Sequence, residues 1–194
     1  MEPEPANDPD LVLAPGWLEP AQAAGLADRL LHELPWQVHR VRMFGREIDS
    51  PRRSCWIGEP GAAYRYSGIR HEPHPWPSLL LPLRERLVLE TGVHFNSVLA
   101  NLYRDGRDSM GWHSDDEPEL GEHPVIASLS LGATRRFVLR HRLERSRRHT
   151  LELRDGSLLV MRGRTQVQWQ HALPRTAKPV GPRVNLTFRR ILPD

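Results

Sequence analysis

The sequence predicts an α+β protein whose core is a double-stranded β-helix, the two-sheet jelly roll, with N-terminal helices packed on one sheet. Three observations carry that expectation. Two segments in the first half repeat leucine at helical spacing. After Gly92 the chain reads as a succession of short segments with the period of a strand. The Asp155-Gly156 pair supplies a hairpin signal between two of them. Two helices and then about eight short strands argue for an α+β class with two packed sheets. A chain of 194 residues is large enough for one substantial core.

Taken in order, residues 1–10 read as a flexible acidic tail, and 11–194 as a single domain. The first helix is expected from Glu19 to Leu34, with Pro20 in its first turn, Leu26, Leu30 and Leu34 in one stripe, and Pro35 as its stop. A strand follows from Trp36 to Phe44. Between Pro51 and Gly68 two short strands should flank a turn at Gly58, Pro60 and Gly61. A proline-rich connection leads to a second helix from Ser78 to about Glu90, with Pro82 early and Leu79, Leu83 and Leu87 at helical spacing. The remaining strands are expected at 95–103, 125–131, 136–140, 149–154, 157–162, 167–172 and 183–191. No repeat and no linker divides the chain.

Composition narrows the function. Hydrophobic residues make up 39% and charged residues 26%, which suits a folded globular protein. No apolar run approaches the roughly 20 residues that span a bilayer. The acidic start lacks the basic and apolar regions of a signal peptide. A single cysteine, Cys55, cannot form an internal disulfide, so a reducing interior is expected: cytoplasmic in a bacterium, nuclear in a eukaryote. The net charge of +3 is unevenly spread: residues 1–134 carry 12 basic and 20 acidic side chains, residues 135–194 carry 15 and 4. Lys178 is the only lysine. An arginine-rich last third suggests a polyanion partner, although a solvated charge run accounts for it equally.

The chemistry concentrates in Asn101-Leu-Tyr-Arg-Asp-Gly-Arg-Asp-Ser-Met-Gly-Trp-His-Ser-Asp115. In extended backbone His113 and Asp115 point to the same side and can hold one metal ion from adjacent corners. His171 is the candidate third ligand, and two imidazoles with one carboxylate are the donor set of non-haem Fe(II) oxygenases. At the far end, Arg183, Asn185, Thr187 and Arg189 share one strand face, while Val184, Leu186 and Phe188 share the other. The polar face either meets solvent or points inward beside the metal. Turned inward, its two guanidiniums would suit a small dicarboxylate.

Asn101-x-Tyr103, His113-x-Asp115, His171 and Arg183-x-Asn185-x-Thr187-Phe188-Arg189 together resemble the AlkB family of Fe(II)- and 2-oxoglutarate-dependent dioxygenases, which repair alkylated bases. Phe44-Gly45, Pro51-Arg52, Tyr64-Arg-Tyr66-Ser-Gly68 and Asp115-Asp-Glu117 are most similar to the branch with animal homologues acting on duplex DNA. The resemblance covers about 41–192 and implies the jelly roll. It implies oxidative dealkylation of N-methylated bases in DNA, of the 1-methyladenine and 3-methylcytosine type, with release of formaldehyde, succinate and CO2. Fe(II), 2-oxoglutarate and O2 would be consumed or held. His113, Asp115 and His171 would bind the iron. Arg183, helped by Asn101 and Tyr103, would take the distal carboxylate of 2-oxoglutarate, with Arg189 near the carboxylate that chelates iron and Asn185 in support.

For the substrate, the resemblance points to Arg52, to Asp116 and Glu117 at the exocyclic amine, to Tyr64 and Tyr66 against the base, and to Met43-Phe44-Gly45 as an apolar hairpin tip. The aromatics are equally consistent with a core, and Asp116 and Glu117 with a solvated acidic loop. The partner expected is alkylated DNA, with no membrane, for a monomer. The competing classes are an oxygenase acting on RNA or protein, and a nucleic-acid-binding jelly roll without turnover.

Overall fold

The computed structural model describes residues 8–43, 46–62, 64–66 and 69–192; of residues 41–43, 46–47, 64–66 and 69–71 the backbone alone is described. The elements run β1 (Asp10–Ala14), α1 (Pro20–Glu33), β2 (Arg40–Met43), β3 (Arg46–Asp49), β4 (Arg53–Gly58), β5 (Tyr64–Tyr66) and β6 (Ile69–His71). After a 3-10 turn at Ser78–Leu80 come α2 (Leu81–Thr91), β7 (Ser97–Tyr103) and β8 (Met110–His113). A second 3-10 turn, Pro118–Leu120, precedes β9 (Ile126–Gly132), β10 (Arg135–His141), β11 (Arg148–Leu153) and β12 (Ser157–Arg162). The chain closes with α3 (Thr165–Gln168), β13 (Trp169–Leu173) and β14 (Arg183–Arg189).

Two antiparallel sheets form the expected jelly roll. The larger has the order β1-β12-β9-β14-β7-β4, the smaller β11-β10-β13-β8. Two further hairpins, β2-β3 and β5-β6, stand apart from both. Strand β14 sits mid-sheet between β7 and β9, and all seven of its residues are buried. A central strand with both faces covered needs two different cores, and the alternation of β14 supplies them. Val184, Leu186 and Phe188 join the cluster formed with Leu30 of α1 and Leu83 and Leu87 of α2. The opposite face looks into the space between the sheets. Truncating Phe188 to alanine removes a fully buried ring from that first core, a change that costs roughly 3–5 kcal/mol.

Both helices start on proline in their first turn, as expected, and α2 ends on Gly92 at φ 72°, a left-handed cap. Elsewhere the structure corrects the expected boundaries. Asp10 is not tail: it opens β1, which pairs with β12 through contacts such as Leu11↔Met161. Only that long-range partner makes a strand of the short, proline-flanked run. The expected strand from Trp36 shrinks to β2, with Gln37 making an isolated bridge to Ser54. The strand expected from 167 begins only at Trp169, because Val167 belongs to α3 and is 39% exposed. Asp155-Gly156 is a turn, with Gly156 at φ 68°, but β11 and β12 lie in different sheets, so no hairpin ladder forms. The turn carries the chain across the sandwich. A Cβ at Gly156 would stand 2.5 Å from the Leu18 carbonyl oxygen, which excludes other residues there.

Cys55 lies in β4, buried against the helix-side core, and burial pushes its thiol up to about 12. Because the thiolate is the reactive form, Cys55 should resist iodoacetamide at pH 8 in native protein and be labelled at once in urea. Rapid labelling of the folded chain would contradict its placement.

Candidate metal and cosubstrate site

The register of the smaller sheet builds the metal end. His113 is the last residue of β8 and pairs directly with His171 of β13, so the rings lie side by side with centroids 4.2 Å apart. Asp115 follows two residues on, in a segment held at two neighbouring residues. Ser114 Oγ donates to the Trp169 carbonyl at 2.8 Å, and the Asp115 amide donates to Gln166 Oε1 at 2.9 Å. One ligand atom from each of His113, Asp115 and His171 lies within 4.8 Å of the others.

The protonation states fit a metal. His113 Nδ1 faces the Gly111 carbonyl oxygen at 2.9 Å, which makes Nδ1 the donor and leaves the Nε2 lone pair for a cation. Among the described residues buried His171 Nδ1 has no hydrogen-bond partner. Burial lowers His113 despite the opposing pull of Asp115, and burial with His113 beside it takes His171 down to about 3. Burial would raise the Asp115 carboxyl, but Arg189, His171 and His113 hold it below the ordinary range. Two neutral imidazoles and an ionised carboxylate are the forms that ligate a divalent ion. These residues fit Fe(II).

The larger sheet supplies the opposite wall. Across the ladder Arg183 faces Tyr103, Asn185 faces Asn101, and Thr187 faces Leu99. Their side chains line a cavity of about 150 Å³ that also contains the triad. Apolar groups, among them Leu99, Met110, Phe137 and Leu173, complete it. Arg189 closes one side, donating through Nη2 to Asp115 Oδ1 at 2.6 Å in a fully buried ion pair. Arg183 is different. It is 2% exposed, donates to Ser130 Oγ at 2.9 Å, and keeps a buried Nε with no hydrogen-bond partner among the described residues. Among the described residues no carboxylate lies within ion-pairing distance of it. Burial takes Arg183 down to about 10, so it is still a cation at neutral pH. A buried cation open to a cavity is a receptor for an anion.

The expected site residues divide. His113, Asp115, His171, Asn101, Tyr103, Arg183, Asn185 and Arg189 converge on the one cavity. Arg52 also lines it, but its Nε donates to Asn101 Oδ1 at 2.8 Å, so it orients Asn101. Asn185 Nδ2 donates to Ser128 Oγ at 2.8 Å and its Oδ1 accepts from Thr187 at 3.0 Å, a local network that holds the wall. Glu117 lines the cavity, whereas Asp116 turns outward to an ion pair with Arg142. Phe44 and Gly45 lie outside the described residues, as do the side chains of Met43, Tyr64 and Tyr66. Sequence reasoning missed Ser128, Ser130 and Gln166. The alternation of Ser128 and Ser130 in β9 was a legible signal; Gln166 gave none.

Comparison with known proteins agrees with this geometry. Residues 10–189 match the family model described as the 2OG-Fe(II) oxygenase superfamily. The chain is 41% identical over 194 residues to the human alpha-ketoglutarate-dependent dioxygenase alkB homolog 3, covering 94% of this chain and 66% of that protein. The bovine protein of the same name matches at the same identity and coverage. The human DNA oxidative demethylase ALKBH2 is 43% identical over 180 residues, covering 86% of this chain and 69% of that one. The chain thus spans about 66% of the length of the first of these relatives. Among solved structures, that of OsALKBH1 superposes with a TM-score of 0.65 at 15% identity, over 95% of this chain and 99% of the other, a likeness of fold. With its metal triad, its buried arginine pair and these relatives, the chain belongs to the 2OG-Fe(II) oxygenase superfamily, in the AlkB family.

Proposed function

We propose that the protein removes methyl groups oxidatively from N-methylated bases of the 1-methyladenine and 3-methylcytosine type in DNA. The observation that carries the reading is the pairing of an Fe(II)-type triad with a buried, carboxylate-free Arg183 in one cavity. The DNA substrate is supported by the names of the relatives called DNA oxidative demethylase. When bound, Fe(II) with 2-oxoglutarate and O2 supplies the oxidation, in which 2-oxoglutarate becomes succinate and CO2 and a methyl C–H becomes C–OH. The hydroxymethyl N–C bond then breaks, the base keeps the nitrogen and formaldehyde leaves.

The chain's residues position and shield that chemistry. His113, Asp115 and His171 hold the iron. Arg183, with Tyr103 and Asn101, receives the distal carboxylate of 2-oxoglutarate, and Arg52 fixes the Asn101 amide. Asn185 keeps the wall in register, and Arg189 orients Asp115. Phe137, Met110 and Leu173 exclude water. Glu117, on the cavity wall, accepts from the exocyclic amine of the base, while Asp116 ties the loop to Arg142. Tyr64 and Tyr66, whose side chains lie outside the described residues, are proposed as contacts of the base.

A polyanion is also supported by the hairpin between β10 and β11. Among the described residues Arg140, Arg145 and Arg148 have no carboxylate within ion-pairing distance, and Arg140 packs 4.2 Å from the Trp112 ring centroid. The protein on this reading is a cytoplasmic monomer that meets no membrane; among the described residues no helix is long and apolar enough to cross one.

The test is a coupled assay on single-stranded DNA carrying 3-methylcytosine. Formaldehyde and succinate should appear together in equal amounts. Succinate without formaldehyde would place the substrate elsewhere.

A second experiment addresses how a base is reached in duplex. Unstacking costs about a few kcal/mol, and an apolar side chain entering the gap offsets part of it. Phe44, with Met43 beside it and Gly45 after it, is proposed as that wedge. Phe44→Ala should slow demethylation in duplex far more than in single strand. Equal losses on the two substrates would make Phe44 a core residue.

A further inference from the structure

Arg135 opens β10 and is 3% exposed, yet among the described residues its guanidinium hydrogen-bonds to no side-chain acid. It donates instead to three backbone carbonyls: Nη1 to Asp105 at 3.1 Å, and Nη2 to Asp108 at 2.9 Å and Pro174 at 2.7 Å. Asp105 and Asp108 lie in the connection from β7 to β8, and Pro174 follows β13 directly. Strand β7 carries Asn101 and Tyr103, β8 ends on His113, and β13 carries His171. One side chain therefore fastens the ends of three strands that bear half of the site. The two connections also touch. Thr176 donates to the Gly106 carbonyl at 2.9 Å, and a Cβ at Gly106 would stand 2.4 Å from the Thr176 oxygen. The Asp108 carboxylate is paired with Arg104 and reaches Arg135 only through its field, as does that of Asp105, so the hydrogen bond here comes from the Asp108 carbonyl.

The charge of Arg135 matters as well as its bonds. Its guanidinium carbon lies 5.9 Å from the Tyr103 ring centroid, and that of Arg183 lies 5.3 Å from the same ring. Burial lowers the pKa of both arginines, and Arg135 pushes Arg183 further down. Two buried cations around one ring repel unless an anion joins them. Arg135 has turned to carbonyls, while Arg183 opens on the cavity.

We propose that Arg135 is a positioning residue for the cosubstrate: it holds Tyr103 and Arg183 in place and adds its charge to the end of the cavity that receives the distal carboxylate of a 2-oxo dicarboxylic acid. The inference rests on the role given to Arg183 above. It is tested by calorimetric titration of Mn(II)-loaded protein with 2-oxoglutarate and with 2-oxopentanoate, which carries a methyl where 2-oxoglutarate has its distal carboxylate. Wild-type protein should bind 2-oxoglutarate much more tightly. Arg135→Met should weaken 2-oxoglutarate about tenfold, the size of one impaired charge-assisted bond, and leave 2-oxopentanoate nearly unchanged. Arg135→Lys keeps the charge without the fork and should fall between. Equal weakening of both ligands, or loss of Mn(II) binding in both variants, would make Arg135 a strut of the fold and overturn the proposal. A wild-type protein that binds the two acids alike would overturn the role of Arg183 and this inference with it.

Discussion

His113→Ala, Asp115→Ala or His171→Ala should each abolish iron-dependent turnover of 2-oxoglutarate. Each removes one of three ligands from a site that needs open positions, and two ligands do not hold Fe(II) there. The loss should exceed the roughly 10–100-fold in metal affinity that follows when only an outer partner of a ligand is removed. The three variants should differ in stability. The two histidines are neutral in the folded protein, and removing one leaves no stranded charge. Asp115→Ala takes the buried carboxylate away from Arg189, whose side chain is 5% exposed. Breaking a buried pair on one side costs roughly 3–5 kcal/mol, so this variant should also melt earlier. Thermal unfolding of the metal-free variants beside a turnover assay separates the two effects. Full activity in any variant would remove that residue from the triad.

Arg183→Lys should raise the dissociation constant for 2-oxoglutarate by an order of magnitude or more. An ammonium cannot reproduce a planar fork on a carboxylate, and a lost charge-assisted bond is worth roughly 1.5–3 kcal/mol. Burial adds to the effect. It already takes the Arg183 guanidinium down to about 10, and a lysine in the same place starts from a lower value and gives up its proton more readily. Iron affinity should be unaffected, since Arg183 lies across the cavity from the triad on the other sheet. An unchanged affinity for 2-oxoglutarate would mean that its distal carboxylate rests elsewhere.

The parts of this site that were legible in the sequence are those fixed by local periodicity. His113 and Asp115 are two apart in extended chain, and the alternation of β14 sorts Arg183, Asn185, Thr187 and Arg189 from Val184, Leu186 and Phe188. The ambiguity of that polar face, solvent or interior, was settled by the second sheet, which no local pattern announces. The partners of those residues were less legible because they come from far along the chain. Arg52 reaches Asn101 and Arg183 reaches Ser130 through strand pairings, and Arg135 finds backbone carbonyls that any sequence would offer. The Asp155-Gly156 pair reads as a hairpin and forms only the turn, because its neighbouring strands pair in different sheets. Asp116 and Glu117 look alike as residues; only backbone direction sends one outward to Arg142 and leaves the other on the cavity wall.

The central claim is that this cavity spends 2-oxoglutarate on the methyl group of a damaged base. The most direct measurement incubates the protein with Fe(II), 2-oxoglutarate and a panel of DNA and RNA oligonucleotides, each carrying one methylated base, and reads the products by mass spectrometry. Oligonucleotides with 1-methyladenine or 3-methylcytosine in DNA should lose one CH2 in mass, only when both iron and 2-oxoglutarate are present, and not with His171→Ala protein. Unchanged masses across the DNA panel, with 2-oxoglutarate still converted to succinate, would contradict the claim.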